Sequence, residues 1–421
     1  MSTEWKILPE DKAILRELAV RVRDAALNPL NQERIRLWYL HGENKCERPL
    51  LLTETDGGLL MVKPDLKLRC TEAWAQNCES QLQQSLIHFE EIGDDFPIEP
   101  YINMGWQIYI SDFGVAASYE RPMSDGVRGA FHIDPPLKDL ERDFGLLHHR
   151  TFAVDRDSTQ EGLDAAREVF DGILGVQLRG NPWWTMGLTQ QAIYLIGLEE
   201  LMLYMYDQPE ALHRLMAFLR DDYCALLDWM ETEELLNPNN TNEYVGSGSR
   251  GYTHALPQPD RVPGSPLRTQ DLWTLIESQE TVGVGPELYE EFIFPYENAI
   301  AQRFGRVYYG CCEPVHTRWD VLKRMANLRR VSVSPWCDEA FMAAALGTHI
   351  GYSRKPNPSL VSTEIFDEAA IRDDLYTTMA LTRAHGCSTE IAMKDVHTLN
   401  NDPTRLARWV KIARDVITEL Y

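Results

Sequence analysis

Nowhere in its 421 residues does the chain hold an apolar run of about eighteen, the length a membrane-spanning helix needs. The opening, MSTEWKILPEDK, has no apolar core and no small-residue cleavage site, so no secretory signal is expected. Cysteine is sparse as well. Eight in this length cannot staple a disulfide scaffold, and reduced thiols in the cytoplasm are expected. Basic residues are in deficit, 41 against 64 acidic, for a formal charge of −23. Such a surface repels phosphate backbones and anionic lipid heads, which argues against nucleic-acid and membrane partners. No short repeat and no low-complexity linker divides the chain. No glycine-rich dinucleotide fingerprint follows the first strand-like run.

What is present is a hydrophobic content of 44%, enough for a large core. The C-terminal two-thirds alternates short apolar runs with longer segments of helical spacing. LWTLIES (272–278), RVYYGCC (306–312), RRVSVSPW (329–336), HIGYSRK (349–355) and STEIAMKDV (388–396) read as strands. Segments 285–305, 316–328, 337–347, 367–386 and 402–421 read as the helices between and after them. Pro295 should break the first of these, and Asp402 should cap the last with Pro403 at its first position. Strand and helix in such alternation predict a parallel sheet with crossover helices. The expected fold class is α/β, a (β/α)8 TIM barrel with an N-terminal helical cap over 1–45. The barrel should occupy 46–421, with 80–150 an insertion over its mouth.

The stretch RVYYGCCEPVH, Arg306 to His316, packs thiols, a carboxylate and an imidazole at the end of a buried strand. Side chains alternate along a strand, so Tyr309, Cys311 and Glu313 are expected on one face, Tyr308 and Cys312 on the other. Carboxyl ends of barrel strands carry the chemistry, and all of these groups fall there.

Several longer segments support a resemblance. They are LNQERIRLWYLHGENKCERPLLLTE (29–54), TQQAIYLIGLEELMLYMYDQPEALHRLM (189–216), VGVGPELYEEFIFPYENAIAQRF (282–304) and VYYGCCEPVHTRWDVLKRMANLRRVSVSPW (307–336). Together they resemble the uroporphyrinogen decarboxylase superfamily. That resemblance implies a (β/α)8 barrel, and either a metal-free decarboxylase or a zinc-dependent methyltransferase that works with a corrinoid protein. The decarboxylase branch carries an arginine-rich RPPVWxMRQAGR signature, where this chain reads RPLLLTETDGG (48–58). The methyltransferase branch binds zinc through a His-x-Cys pair, where this chain reads Tyr309-Gly310-Cys311. The resemblance thus places Cys311 at a metal-binding cysteine, without the histidine. A homodimer is what the relatives suggest. The Asp-x-His-x-x-Gly corrinoid ligand motif is absent, so the corrinoid would come from a partner protein.

The candidate site follows from these positions. Thiolate, carboxylate and imidazole from separate strands suit tetrahedral zinc, which nominates Cys311, Glu277 and His397 as metal ligands. Glu313 and His316 are the candidate proton carriers, with Tyr309 and Asp395 beside them. Arg179 and Arg354 are candidate carboxylate anchors. His148 is expected to line the site, and His254 lies in a Gly/Pro-rich loop expected to lid the mouth. Trp336 and the PWW run (182–184) are candidate aromatic walls for a flat ligand. The expected function is methyl transfer between a small substrate and a corrinoid-carrying partner, assisted by zinc. The alternative is a metal-free lyase or decarboxylase acting on a small carboxylic acid.

Overall fold

The computed structural model of the protein describes residues 5–55, 58–120 and 132–421. Eight strands, each paired in parallel, organise it: β1 (Leu50–Thr55), β2 (Tyr101–Met104), β3 (Gly175–Leu178), β4 (Trp273–Ile276), β5 (Arg306–Tyr309), β6 (Leu328–Val333), β7 (Gly351–Arg354) and β8 (Thr389–Val396). Six of them form one hydrogen-bonded sheet in the order β1-β8-β7-β6-β5-β4, and β2 pairs only with β3. The closed eight-stranded ladder expected from the sequence is therefore corrected to a six-stranded arc plus a two-stranded parallel ribbon.

The backbone ladder stops at two seams, and side chains take over there. At the β1 edge, Asp95 Oδ2 accepts from Leu51 N (2.9 Å) and Asp94 Oδ2 accepts from Thr53 N (3.0 Å). At the β4 edge, the Asn239 amide both donates to the Trp273 carbonyl and accepts from its N–H, each at 2.9 Å. Asn237 bonds Gly180 O and Asn181 just beyond β3. Buried edge groups demand partners, and Asx side chains supply them where no strand reaches.

The arc is curled around one hairpin, Tyr244–Arg250. Trp273 Nε1 donates to Gly251 O, Arg330 Nη1 to Arg250 O, Ser249 Oγ to Glu390 and Lys394 Nζ to Ser247 Oγ. Gly246 lies so close to the Tyr308 ring that a Cβ would stand 2.2 Å from it. Laid flat, six strands would span about 24 Å, too wide for one hairpin to touch β4, β5, β6 and β8 together. In the loop 235–266, expected to be a surface or active-site loop, the hairpin segment fills the interior, with Ser247 and Ser249 fully buried.

Helices pack the outer face. Pro9–Leu27 and Pro29–Gly42 open the chain, each with proline in its first turn. The break expected at Pro295 is real: helices Pro286–Phe292 and Phe294–Ala301 meet at Ile293. The last helix, Arg405–Leu420, begins later than expected, with Thr404 at its N-cap. Asp402 accepts from the Thr404 N–H and hydroxyl instead of capping the helix. The expected insertion 80–150 contains β2, the antiparallel pair Ser118–Glu120 with His132–Asp134, and the strand Gln107–Ile110, whose antiparallel partner Phe152–Asp155 lies just beyond it. Residues 121–131 of it lie outside the described residues. Among the described residues, no helix is long and apolar enough to cross a membrane.

Candidate functional site

Past Tyr309 the strand alternation fails. Tyr308 points into the arc, where its hydroxyl donates to Ser353 Oγ (2.9 Å). Tyr309 points outward, and its hydroxyl meets that of Tyr289 at 3.0 Å. Strict alternation would turn Cys311 outward as well. Gly310 adopts φ +92° and resets the chain, and Cys311 turns inward. A side chain at this position would also press on Val315 and Ser332, at 3.2 and 3.3 Å. The expectation that Tyr309, Cys311 and Glu313 share a face is corrected accordingly.

Inside, Cys311 sits in a ring of polar groups and is only 4% exposed. Ser247 Oγ donates to its sulfur at 3.4 Å, and Lys394 Nζ lies at 3.6 Å. The Cys312 sulfur is 3.6 Å away. The hydrogen bond from Cys312, helped by the Lys394 charge and the Ser247 hydroxyl against the penalty of burial, brings the Cys311 thiol down to about 7. The same hydrogen bond, together with burial, pushes Cys312 far up. Cys312 thus keeps its proton, for which Asp395 Oδ2, also at 3.6 Å, competes. Burial opposes the charge on Lys394, but Cys311, Tyr244 and Asp395 outweigh it and hold the ammonium protonated. Asp395, at φ +57°, lies 3.2 Å from that ammonium. Deeper in the arc, Glu390 takes Ser249, Ser353, His41 and Arg330 as partners, and Lys355 contacts Ser353. Burial lowers Lys355 to about 8.

A second cluster lies outside the arc. Glu313 accepts the N–H groups of Ser278 (3.0 Å) and Cys311 (2.7 Å), so it pins the turn that presents the thiol. Glu297 accepts from Ser278 Oγ and Leu188 N. Burial raises Glu297 to about 8 and Glu277 to about 10, the latter helped by Glu280 and Glu313. Glu277 belongs to this outer carboxyl cluster, and its Oε1 is buried without a hydrogen bond.

A hollow of 760 Å³ opens at the seam between β3 and β4, bounded by the hairpin and by Glu54 of β1. Glu54, Arg179, Trp183, Trp184, Tyr244 and Trp273 are among its walls. Glu54 in its wall and the Lys394 side chain both approach the space over Gly248, which links the hollow to Lys394, while Lys394 and Cys311 are not themselves in its wall.

The remaining sequence candidates scatter. Arg179 lines the hollow, but Glu243 (3.1 Å), the Pro238 carbonyl and Thr241 engage its guanidinium. Arg354 faces the outer helices and pairs with Glu339 (2.7 Å) and Asp374 (3.3 Å). His316 Nδ1 accepts from Asp338 N at 3.3 Å, at the start of the next helix. His148 is exposed, donating to the His149 carbonyl. His254 stacks on Tyr39 at 4.1 Å and its N–H reaches Glu43, near the amino end of β5 and opposite the mouth. It is no lid, because its loop has already descended through the arc. Trp336 stands at the rim, 67% exposed. His397 is exposed, so Cys311 inside, Glu277 outside and His397 at the surface do not form one donor set. Among the described residues no three His, Cys, Asp or Glu side chains converge as metal ligands. Lys394 lies on the strand-like run STEIAMKDV, whereas Ser247 carries no signal in the sequence, because GSGSRG has no periodicity.

This arrangement, a buried thiol just past the carboxyl end of β5 in a curled parallel sheet, can be set beside known proteins. No protein-family model matches the chain, and no curated protein does. In fold it is similar to a methyltransferase from Methanosarcina mazei. The TM-score is 0.51 at 12% identity, over 90% of this chain and 97% of that one. At that identity the likeness concerns the fold.

Proposed function

We propose that the chain is a methyltransferase for a small molecule seated in the 760 Å³ hollow, with Cys311 and Lys394 as its acid–base pair. The observation that carries this reading is the buried Cys311 thiol with the Lys394 ammonium at 3.6 Å and the Ser247 hydroxyl at 3.4 Å, neighbours that lower its pKa. The fold it shares with a methyltransferase supports it. When a methyl group leaves a heteroatom, its bonding electrons stay behind on that atom and a proton must follow. A group with pKa near ambient pH is suited to give that proton and take it back. The Cys311 thiol supplies it, and the Lys394 ammonium and Ser247 hydroxyl stabilise the thiolate that remains. Glu313 holds the Cys311 backbone in place during the transfer.

For the methyl acceptor we propose a corrinoid carried by a partner protein, as the sequence resemblance implies. Such a corrinoid supplies a cobalt centre that takes up or releases methyl. Trp184 and Trp336, exposed at strand ends, offer flat apolar surface to it. Zinc has no part in this proposal, since its nominated donors do not converge. The decarboxylase alternative loses its nominated anchors, because Arg179 and Arg354 are already paired. The test supplies cob(I)alamin and a panel of methylated ethers, amines and thioethers, and follows methylcobalamin spectrally. Wild type should turn over one class, and Cys311→Ala should be slower by about a hundredfold or more. Equal rates would remove Cys311 from the chemistry.

A further inference from the structure

Two smaller hollows, of 250 and 170 Å³, flank the main one. The larger shares Glu54 with it and the smaller shares Asn103 and Asn242. Gln84 and Arg250 line both side hollows. Arg250 closes the central hairpin, so its backbone is fixed by the arc, and its side chain reaches out to where the hollows meet.

This guanidinium is under-partnered. Its central carbon lies 4.6 Å from the Phe96 ring centroid and 5.9 Å from that of Tyr244. Nη1 reaches the Asn242 carbonyl only at 3.5 Å, and the buried Nε has no hydrogen bond. The Asn242 Oδ1 is buried and unpaired too. Five other sheltered arginines have carboxylates, Arg48 on Asp95, Arg150 on Asp222, Arg179 on Glu243, Arg330 on Glu390 and Arg354 on Glu339, and the buried Arg318, without one, is hydrogen-bonded to Thr281 at two nitrogens. Sheltering a guanidinium without a counter-ion is costly. A chain with 64 acidic residues does not lack carboxylates to place there. Arg34 also lacks hydrogen bonds at two nitrogens, yet it lines none of these hollows.

We propose that Arg250 recognises a carboxylate of the substrate, so that the ligand is a monoanion whose apolar or aromatic body lies among Trp183, Trp184, Tyr244 and Trp273. The planar fork of arginine matches a carboxylate, and the Phe96 face stacks on it at 4.6 Å. Glu54 and Glu99 line the flanking hollows and repel excess negative charge, which favours a monoanion over a phosphate dianion. Burial raises Glu99, and the Tyr252 hydroxyl donates to it, which softens that repulsion. The proposal rests on reading this mouth as a substrate site and on no particular reaction at Cys311.

Calorimetric titration of the full chain with benzoate, benzamide and phenyl phosphate tests it without turnover. Wild type should bind benzoate roughly ten- to hundredfold more tightly than benzamide, the worth of a charge-assisted hydrogen bond. Arg250→Gln should erase that preference and leave benzamide affinity unchanged, which also shows that the variant is folded. Arg250→Lys, which keeps the charge and loses the fork, should keep only part of it. The proposal fails if wild type binds benzoate no better than benzamide, if phenyl phosphate binds most tightly, or if both variants retain the full preference. Loss of methyl transfer with this preference intact would sink the reaction and leave the carboxylate site standing.

Discussion

Cys311 owes its acidity to neighbours from three separate elements: Ser247 on the hairpin, Cys312 on its own turn and Lys394 on β8. Removing the cation should therefore be visible directly. Thiolate ultraviolet absorbance, taken as wild type minus Cys311→Ser, should titrate near pH 7. In Lys394→Gln that midpoint should rise by about one to three pH units, as expected for losing an adjacent opposite charge. Because a lowered pKa fills the thiolate form above about 7, a reaction that uses the thiol as proton donor should lose rate as pH rises through that value. The sequence marks Cys311, Glu313 and Asp395 as strand-end residues, and strand ends are where chemistry collects. It does not give the parity of each strand. Tyr352 and Arg354 on one face of β7, and Ser353 and Lys355 on the other, mix polar with bulky residues on both sides, so Arg354 looked as eligible for the mouth as Lys355.

At the scale of elements, the seams make a quantitative claim. Asn239 satisfies both backbone groups of Trp273, so Asn239→Ala should cost about 2–3 kcal/mol by urea unfolding. The outer carboxyl cluster makes another. Glu297 is held protonated in the fold up to about 8, whereas in the unfolded chain it ionises in the ordinary carboxylate range. Between those limits the folded state binds the extra proton, so stability falls as pH rises, by up to about 1.4 kcal/mol per pH unit. Glu297→Gln should flatten that slope between pH 5 and 8, read from denaturation midpoints. Five strands of the arc and the break before Pro295 were legible, because apolar runs and proline act locally. The hairpin in the interior was not: glycine and serine are usually loop signals, and here their small size admits a chain beneath Tyr308.

Across the whole molecule, Asp95 ties distant parts together. Arg48 before β1 and Arg414 on the last helix both grip its carboxylate, and the Trp38 indole donates to its carbonyl. Despite the opposing cost of burial, the two guanidinium groups lower Asp95 to about 2. Its contribution is complete above the ordinary carboxylate range and is lost as pH falls toward 2. Asp95→Asn should cost about 3–5 kcal/mol at neutral pH, measured by chemical denaturation, and should remove part of the acid limb. The formal charge of −23 was legible from composition, whereas this long-range latch, joining positions 48, 95 and 414, was not. The seams carry a last consequence. β2 and β3 bring Asn103 and Arg179 to the hollow while sharing no backbone ladder with the six-stranded arc. That ribbon is an interchangeable leaf: its residues can be rewritten, and the ligand preference of the mouth with them, while the register of the shell stays as it is.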